Sequence, residues 1–272
     1  MTATREMITC NVCEGDDFNH YMDCDGFFYV RCRGCGLVLQ NPQPTQHEIN
    51  NIYDESYFHY EFENHNAFFH LMELSLNDIN FNEITKKYNG SRKVLDIGCA
   101  TGLLLNKLQN EGWDSHGVEI CEASAQYARD NFNLNIYNKN LFECNFPDNH
   151  FEVIHFSHLI EHVPNPKNFL KEVYRILQPN GYIIVTTPNV EGFFVKIFKS
   201  KWRSAIFQHL FLFSKKSLKK LLIKTGFSIL KQISWGGLPI EVSKGKIKKL
   251  TDRWVKQLNL GDVMLFLATK KG

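Results

Sequence analysis

Two histidines and a glutamate lie within one helical turn in the segment SHLIEHVPNP, residues 157–166. His158, Glu161 and His162 follow directly after the apolar run FEVIHF, and two prolines come after them. An imidazole can remove a proton near neutral pH, and a neighbouring carboxylate can orient the ring or stabilise its charged form. We therefore predict a general base here, either His162 or His158. His209, in the segment FQHLFLFS, is a further candidate if its segment folds over the same site.

Four cysteines near the N-terminus are spaced as metal ligands. They form the pairs CNVC and CRGC, which 18 residues separate, and this spacing is typical of a zinc ribbon. Tetrahedral zinc takes four such ligands, and each C-x-x-C turn can supply two thiolates at about 2.3 Å. We therefore predict one structural zinc, remote from the chemistry, on Cys10, Cys13, Cys32 and Cys35. The remaining cysteines are predicted to be small packing residues: Cys24, Cys99, Cys121 and Cys144.

After Arg92 the chain alternates short apolar runs with stretches of helical period. The runs include KVLDI, SHGVEI, LNIYN, FEVIHF and GYIIVTT. Strands that alternate with helices predict βαβ units, and hence a mostly parallel sheet with helices on both faces. Ligands bind such a sheet beyond the carboxyl ends of its strands, where the strand order reverses. Because FEVIHF leads into His158, we expect it to deliver the turn to that ligand site.

Composition divides the chain into three parts. Residues 1–45 form the ribbon-like segment, which the proline-rich stretch NPQPT ends. Residues 46–90 are predicted to be a helical linker or cap, rich in aromatic residues and histidine. Residues 91–272 are predicted to form the main α/β domain, with basic and aromatic insertions at 190–213 and 236–260.

The stretch VLDIGCATG, Val94–Gly102, has the pattern of a nucleotide-binding turn. An apolar strand ends in Asp96, and the small residues that follow let a ligand approach the backbone closely. Such a turn is weak evidence alone, since many nucleotide cofactors use it. The second strand ends in Glu119, about 20 residues past the turn, where a carboxylate can accept hydrogen bonds from both ribose hydroxyls of an adenosine.

The chain resembles the class I S-adenosylmethionine-dependent methyltransferases in these motifs and in three others: LIEHVPNP, LKEVYRILQPNGYIIVTTPN and HLFLFSKKSLKKLLIKTGF. It is most similar to the branch in which a ribbon precedes the catalytic domain, and the resemblance covers nearly all of the chain. The family implies a Rossmann-like, doubly wound sheet of seven strands in the order 3-2-1-4-5-7-6, with the last strand antiparallel. A nicotinamide dehydrogenase is disfavoured, because it would keep G-x-G-x-x-G where this turn is G-x-A-x-G.

The resemblance also implies how S-adenosylmethionine is bound. The loop from Asp96 to Gly102 would lie along the methionine part, and Glu119 would hold the ribose. The chain departs from the family in two places: Ala100 stands where many members have glycine, and Asn140 where an aspartate often contacts the adenine. The full set of predicted cofactor-binding residues is Asp96, Gly98, Cys99, Ala100, Gly102, Glu119, Ile120, Asn140, Leu141 and Phe156.

Three roles stay open for the turn at His162. In the first, a histidine acts without metal as the general base for a hydroxyl acceptor. In the second, Glu161, His162 and His209, with or without His158, hold Mg²⁺ or Mn²⁺, which would lower the pKa of the acceptor oxygen. This set resembles the E-x-x-E-H and distal histidine of small-RNA 2′-O-methyltransferases, with His158 in place of the first glutamate. In the third, the Glu–His pair only caps a loop.

Charge is distributed unevenly along the chain. Residues 1–189 carry 13 Lys and Arg against 25 Asp and Glu, whereas residues 190–272 carry 18 against 4. Two stripes of apolar residues at helical spacing lie in the basic part: Phe193, Phe194, Ile197, Phe198 and Trp202, and then Ile247, Leu250, Trp254 and Leu258. They either pack on the core or form a basic, aromatic surface for an anionic leaflet or for a lipid-linked or phosphorylated acceptor.

The favoured function is O-methylation of a small molecule or glycan precursor, because ribbon-bearing relatives resemble enzymes of surface-polysaccharide and natural-product pathways. The acidic ribbon disfavours a methyltransferase that acts on nucleic acid. The intact Asp96 and Glu119 disfavour a binding module that has lost catalysis. No apolar run approaches the roughly 20 residues that span a bilayer, and the N-terminus lacks a secretion-signal pattern. We therefore expect a soluble, cytoplasmic protein, with peripheral contact at the inner membrane face if the basic surface binds lipid.

Overall fold

The structure is a computed structural model, and it describes residues 5–45, 48–49, 55–88, 90, 92–236 and 245–271. Its first elements are β1 (Phe18–Cys24), β2 (Phe27–Cys32), β3 (Val38–Gln40), α1 (Glu55–Asp78), α2 (Phe81–Thr85), β4 (Lys93–Ile97), α3 (Leu103–Asn110), β5 (Asp114–Val118), α4 (Glu122–Phe132) and β6 (Asn135–Tyr137). They are followed by β7 (Phe151–Ser157), α5 (Pro166–Ile176), β8 (Leu177–Pro188), α6 (Phe193–Phe198), β9 (Phe211–Leu212), α7 (Lys215–Lys224), β10 (Phe227–Trp235), α8 (Gly245–Gln257) and β11 (Val263–Lys270).

Seven strands form the main sheet in the order β10-β11-β8-β7-β4-β5-β6. The strands from β4 to β8 pair in parallel, whereas β11 runs antiparallel to both β8 and β10. This is the predicted order 3-2-1-4-5-7-6 with an antiparallel last strand, and the prediction is confirmed. The strand order reverses between β4 and β7, so the carboxyl ends of these two strands open the ligand site.

Two hydrophobic cores cover the two faces of this sheet. One face packs against α1, α3 and α4, through residues such as Leu76, Leu105 and Ala128. The other packs against α5 and α7, through residues such as Leu170 and Leu221. Alternate residues of a strand point to opposite faces, which is why Val94 and Leu95 of β4 belong to different cores.

The helices that follow the site begin at defined caps. Pro166 occupies the first turn of α5, and the side chain of Asn165 accepts a hydrogen bond from the backbone of Asn168. Helix α7 begins with a capping box, in which Ser214 and Ser217 each bond to the backbone of the other. Such caps satisfy backbone N–H groups that have no partner inside the helix. They fix where each helix starts relative to the strand ends.

The N-terminal ribbon is built into the rest of the fold. Its three strands form a second sheet in the order β1-β2-β3-β9, in which β9 belongs to the predicted insertion 190–213. Leu37 and Leu39 of the ribbon share one core with the main domain. Helix α8 occupies part of the insertion 236–260, whose residues 237–244 lie outside the described part. Within the described residues, no helix has an apolar stretch that could cross a membrane.

Candidate functional site

A tight turn after β7 brings the predicted catalytic residues to the mouth of the sheet. His158 has a φ of 51°, in the left-handed region, and its backbone N–H donates to the Thr186 carbonyl of β8. The His162 N–H donates to the Leu159 carbonyl and closes the turn. Left-handed backbone is uncommon for residues other than glycine and tends to occur at functional sites. The turn points Glu161 back onto the end of the sheet.

Glu161 is fully buried beneath this turn. Its Oε2 accepts a hydrogen bond of 2.8 Å from Thr187 Oγ1, and its Oε1 lies 3.4 Å from His158 Nδ1. Burial raises the pKa of this carboxyl, but the adjacent His158 imidazole outweighs burial and holds the pKa at about 2. Glu161 is therefore a carboxylate at neutral pH, with one oxygen directed at histidines.

His162 and His209 complete the cluster, although 46 intervening positions separate them in sequence. Their rings meet edge to face, with centroids 4.6 Å apart. The Nδ1–H of His209 donates to the Ser204 carbonyl at 2.8 Å, so Nε2 keeps its lone pair. Burial lowers the pKa of both imidazoles, that of His209 to about 3. Both rings are therefore neutral at pH 7, and each keeps a nitrogen lone pair that can bind a cation.

The cluster supports two of the predicted chemistries. One ligand atom each from Glu161, His162 and His209 lies within 4.8 Å of the others, close to the span of two metal–ligand bonds of about 2.1 Å. His162 Nδ1 and Glu161 Oε1 have no hydrogen-bond partner among the described residues. A neutral imidazole beside a carboxylate can remove a proton, and the same atoms can coordinate a divalent cation. His158 lies at the exposed rim of the cluster.

The predicted cofactor loop follows β4. Gly98, Ala100 and Gly102 all have positive φ, at 72°, 46° and 77°. A Cβ on Gly102 would come within 2.7 Å of the Leu134 side chain and 2.9 Å of the Ala128 Cβ, so this position requires glycine. The N–H groups of Gly98 and Cys99 both donate to the Val118 carbonyl, which ties the loop to the second strand.

Glu119 joins the cofactor loop to the second strand. Its Oε2 accepts from the Ala100 N–H at 3.0 Å, and its Oε1 from the Cys121 N–H at 2.8 Å. Each oxygen keeps a second lone pair for a ribose hydroxyl. Burial raises the pKa of this carboxyl to about 7, against the lowering effect of these two hydrogen bonds. The donor and acceptor chemistry therefore fits the predicted adenosine.

Helix α1 covers the cofactor loop. A cleft lies between them, lined by Glu61, His65, Phe68, Phe69 and Met72 of the helix and by Cys99, Ala100, Thr101, Leu103 and Leu104. The predicted helical cap thus forms one wall of the site. Helix α1 therefore lies against the predicted cofactor loop.

Sequence reasoning missed the partner of Asp96. His155 of β7 places its Nδ1 2.7 Å from Asp96 Oδ1, and both side chains are almost completely buried. Burial raises the pKa of the Asp96 carboxyl, although His155 opposes this. The signal was present in the sequence, because a histidine inside the apolar run FEVIHF has to find a polar partner. The pair links the ends of β4 and β7.

Other predicted cofactor-binding residues lie at different depths. Asn140 accepts hydrogen bonds from the Phe142 and Glu143 N–H groups, so its side chain caps the following turn. Phe156 is fully buried against Phe169 of α5, where only its backbone can face the loop. Leu141, which follows Asn140, is buried, and Ile120, which lies after β5, is exposed.

The four ribbon cysteines come together as predicted. Cys10 Sγ lies 3.4 Å from Cys35 Sγ, Cys13 Sγ lies 3.3 Å from Cys32 Sγ, and all four atoms are within 4.8 Å of one another. Two Zn–S bonds of about 2.3 Å span a similar distance. A Cβ on Gly34 would approach Cys13 Sγ to 3.2 Å, so the loop leaves room only for the thiols. The donor set fits tetrahedral zinc.

Comparisons with known proteins match the catalytic region. The sequence profile of a family described as a methyltransferase domain matches residues 68–232. The ubiquinone biosynthesis O-methyltransferase of Pasteurella multocida is 29% identical over a 131-residue alignment, and the match covers 42% of this chain and 54% of the relative. The protein of the same name from Haemophilus ducreyi is 30% identical over a 128-residue alignment, and the match covers 42% of this chain and 53% of the relative. The chain thus spans about half the length of the curated relatives it matches.

Solved structures share the fold. A SAM-dependent methyltransferase from Archaeoglobus fulgidus superposes with a TM-score of 0.55 at 22% identity, covering 73% of this chain and 94% of that chain. In Haloferax volcanii, a complex of the Trm112 methyltransferase activator with a methyltransferase gives a TM-score of 0.60 at 15% identity, covering 83% of this chain and 98% of that chain. At these identities the likeness concerns the fold.

Proposed function

The chain belongs to the methyltransferase domain family and is an S-adenosylmethionine-dependent methyltransferase, and from this premise we propose that it methylates a hydroxyl oxygen of a small molecule or glycan precursor. The observation that carries the proposal is the cluster of the buried Glu161 and His209 with the half-buried His162 at the mouth of the sheet. The names of the curated relatives, which are O-methyltransferases, also support oxygen as the acceptor atom. A glycan acceptor rests on the resemblance to ribbon-bearing enzymes.

In the proposed mechanism, His162 removes the proton of the acceptor hydroxyl. When bound, S-adenosylmethionine supplies a methyl group that is already activated, so the protein mainly aligns the acceptor and provides a base. The His162 ring is neutral before the reaction, and the Glu161 carboxylate stabilises the imidazolium that forms. His209 stays neutral, because burial lowers its pKa to about 3.

A metal-assisted mechanism is the second candidate. The specific observation in its favour is that the Ser204 carbonyl orients His209 through Nδ1 and leaves Nε2 as a ligand, as is usual for metal-binding histidines. Mg²⁺ or Mn²⁺ on Glu161, His162 and His209 would lower the pKa of the acceptor hydroxyl. Turnover that a chelator abolishes and Mg²⁺ or Mn²⁺ restores would favour this mechanism. Full turnover in chelator would favour the metal-free base.

The experiment that tests the function is an acceptor screen. Extracts of the source cell are incubated with the protein and methyl-labelled S-adenosylmethionine, and the labelled fraction is identified. We expect a hydroxylated small molecule or glycan, and His162→Ala should lower turnover about 100-fold or more while cofactor affinity stays unchanged. His20→Ala, at an exposed ribbon histidine, is the matched control. Label on nucleic acid or nitrogen, or full activity of the His162 variant, would contradict the proposal.

We further propose that the acceptor is lipid-linked or phosphorylated and that the enzyme works at the inner membrane face. The two apolar stripes split between core and surface. Phe194 and Trp202 are buried, whereas Ile197, Leu250 and Trp254 are 58%, 70% and 50% exposed. Phe193 contacts Trp254, so α6 and α8 present one surface. The side chain of Ile247 lies outside the described part. Exposed apolar residues among lysines suit an anionic leaflet.

A further inference from the structure

The ribbon reaches the catalytic cluster through hydrogen bonds to one segment, residues 206–210. The Tyr29 hydroxyl lies 2.9 Å from both the Ile206 and the His209 carbonyl oxygens and donates to them. Gln40 Nε2 donates to the Phe207 carbonyl at 2.8 Å and to the His209 carbonyl at 2.9 Å. The Gln40 backbone N–H donates to the Leu210 carbonyl at 2.9 Å. Two ribbon residues therefore hold the main chain that carries His209.

His209 is fixed from both ends by these contacts. Its carbonyl accepts from Tyr29 and Gln40, while its ring donates to the Ser204 carbonyl, two residues before this segment. Two residues further on, the Phe211 N–H donates to the Glu161 carbonyl at 3.1 Å, and Phe211 belongs to β9, which pairs with β3 of the ribbon. The ribbon, His209 and the Glu161 turn thus form one continuous hydrogen-bonded unit.

Both ribbon donors are close to the cysteine cluster in the chain. Tyr29 lies on β2, which ends at Cys32, and Gln40 lies on β3, which begins three residues after Cys35. The Cys32 N–H donates to the Leu37 carbonyl and closes the turn between these strands. Tyr29 and Gln40 are almost completely buried. A zinc ion on the four cysteines would fix this turn, and with it the register of Tyr29 and Gln40.

Resting on the proposed function for the role of His209, we propose that the ribbon is a working part of the acceptor site. Tyr29 and Gln40 are positioning residues that hold His209 against Glu161 and His162, and the cysteine cluster keeps both donors in place. A displacement of about 1 Å at a reacting group can cost on the order of 100-fold in rate. Turnover therefore depends on the ribbon beyond what its contribution to folding requires.

The test uses the full chain and the variants Tyr29→Phe and Gln40→Met, which remove donors while keeping size and burial. The first readout is the imidazole N–H signal of His209 in NMR spectra, assigned by its loss in His209→Gln. The bond to Ser204 should protect this proton from exchange with water in the wild type. We expect the signal to weaken or shift in both variants, and turnover to fall about 10- to 100-fold at unchanged cofactor affinity.

Val30→Ala is the matched control, because Val30 is a buried neighbour of Tyr29 on β2 and has its side chain in the core. It should lower the melting temperature and leave the His209 signal and turnover intact. If Tyr29→Phe and Gln40→Met behave like Val30→Ala, the ribbon is only a stabilising element and the proposal is wrong. If His209→Gln keeps full turnover, the proposed function fails at His209, whereas the imidazole signal still decides whether the ribbon holds that residue.

Discussion

The raised pKa of Glu119 predicts that cofactor binding depends on pH. Its carboxylate has to be ionised to accept hydrogen bonds from both ribose hydroxyls, yet burial raises its pKa to about 7. At pH 8 about 90% of the free protein would carry the ionised form, and at pH 6 about 10%. Affinity should therefore fall roughly tenfold between pH 8 and pH 6. Binding at pH 6 should release close to one proton.

The assay is calorimetry with 5′-methylthioadenosine, which has the same ribose as S-adenosylmethionine but no α-amino group. The α-amino group titrates near pH 8 and would confuse the measurement. Repeating the titration in buffers of different ionisation enthalpy gives the number of protons released. Glu119→Gln should bind weakly at every pH. Glu122→Gln, at an exposed neighbour, should bind as the wild type does. An affinity that is constant from pH 6 to pH 8, with no proton released, would refute the assignment.

The same pKa has a consequence for stability, with a defined sign. The folded-state pKa is raised from its ordinary value of 4.5 to about 7, so the unfolded chain loses this proton first as pH rises. The contribution of Glu119 to stability is fully present below pH 4.5 and is lost as pH rises through 7. The difference of about 2.5 pKa values corresponds to about 3 kcal/mol. Unfolding of the free protein by urea at pH 5 and pH 8, in wild type and Glu119→Gln, measures it.

Three further predictions concern other parts of the molecule. Metal analysis should find one zinc per wild-type chain and none in Cys32→Ser, which should also melt at lower temperature; a wild type without zinc would contradict the assignment. Gly112→Ala should lower the free energy of unfolding by about 1 kcal/mol, because its backbone has a positive φ and its Cβ would meet no other atom. Gly102→Ala should lower it by about 1–3 kcal/mol more, because its Cβ would also clash with Leu134 and Ala128. Unfolding in urea measures both, and equal losses would disprove the clash. The protein should sediment with anionic vesicles at low salt, and Trp254→Gln should weaken this, whereas no sedimentation would favour a soluble acceptor.

The sequence alone was sufficient for the fold class and for the identity of the main polar groups. Apolar runs that alternate with helical segments specify βαβ units, and two C-x-x-C pairs at this spacing specify a four-thiol site. The resemblance to a known family then supplied the strand order. Glu119 and the loop after Asp96 were also predictable, because a carboxylate at the end of a strand and small residues in a turn have local signatures.

Only the tertiary structure determined which polar groups meet. His155 and Asp96 pair across two strands that are 59 positions apart, and Gln40 reaches His209 across 169. Strand β9 has two residues, too few for any periodic pattern, and forms because an edge of the ribbon sheet lies beside it. The acceptor of a hydrogen bond to a backbone carbonyl cannot be identified from the sequence, because every residue has such a carbonyl. The ribbon's contact with the catalytic cluster therefore exists only in three dimensions, since it depends on packing that brings distant segments within about 3 Å of each other.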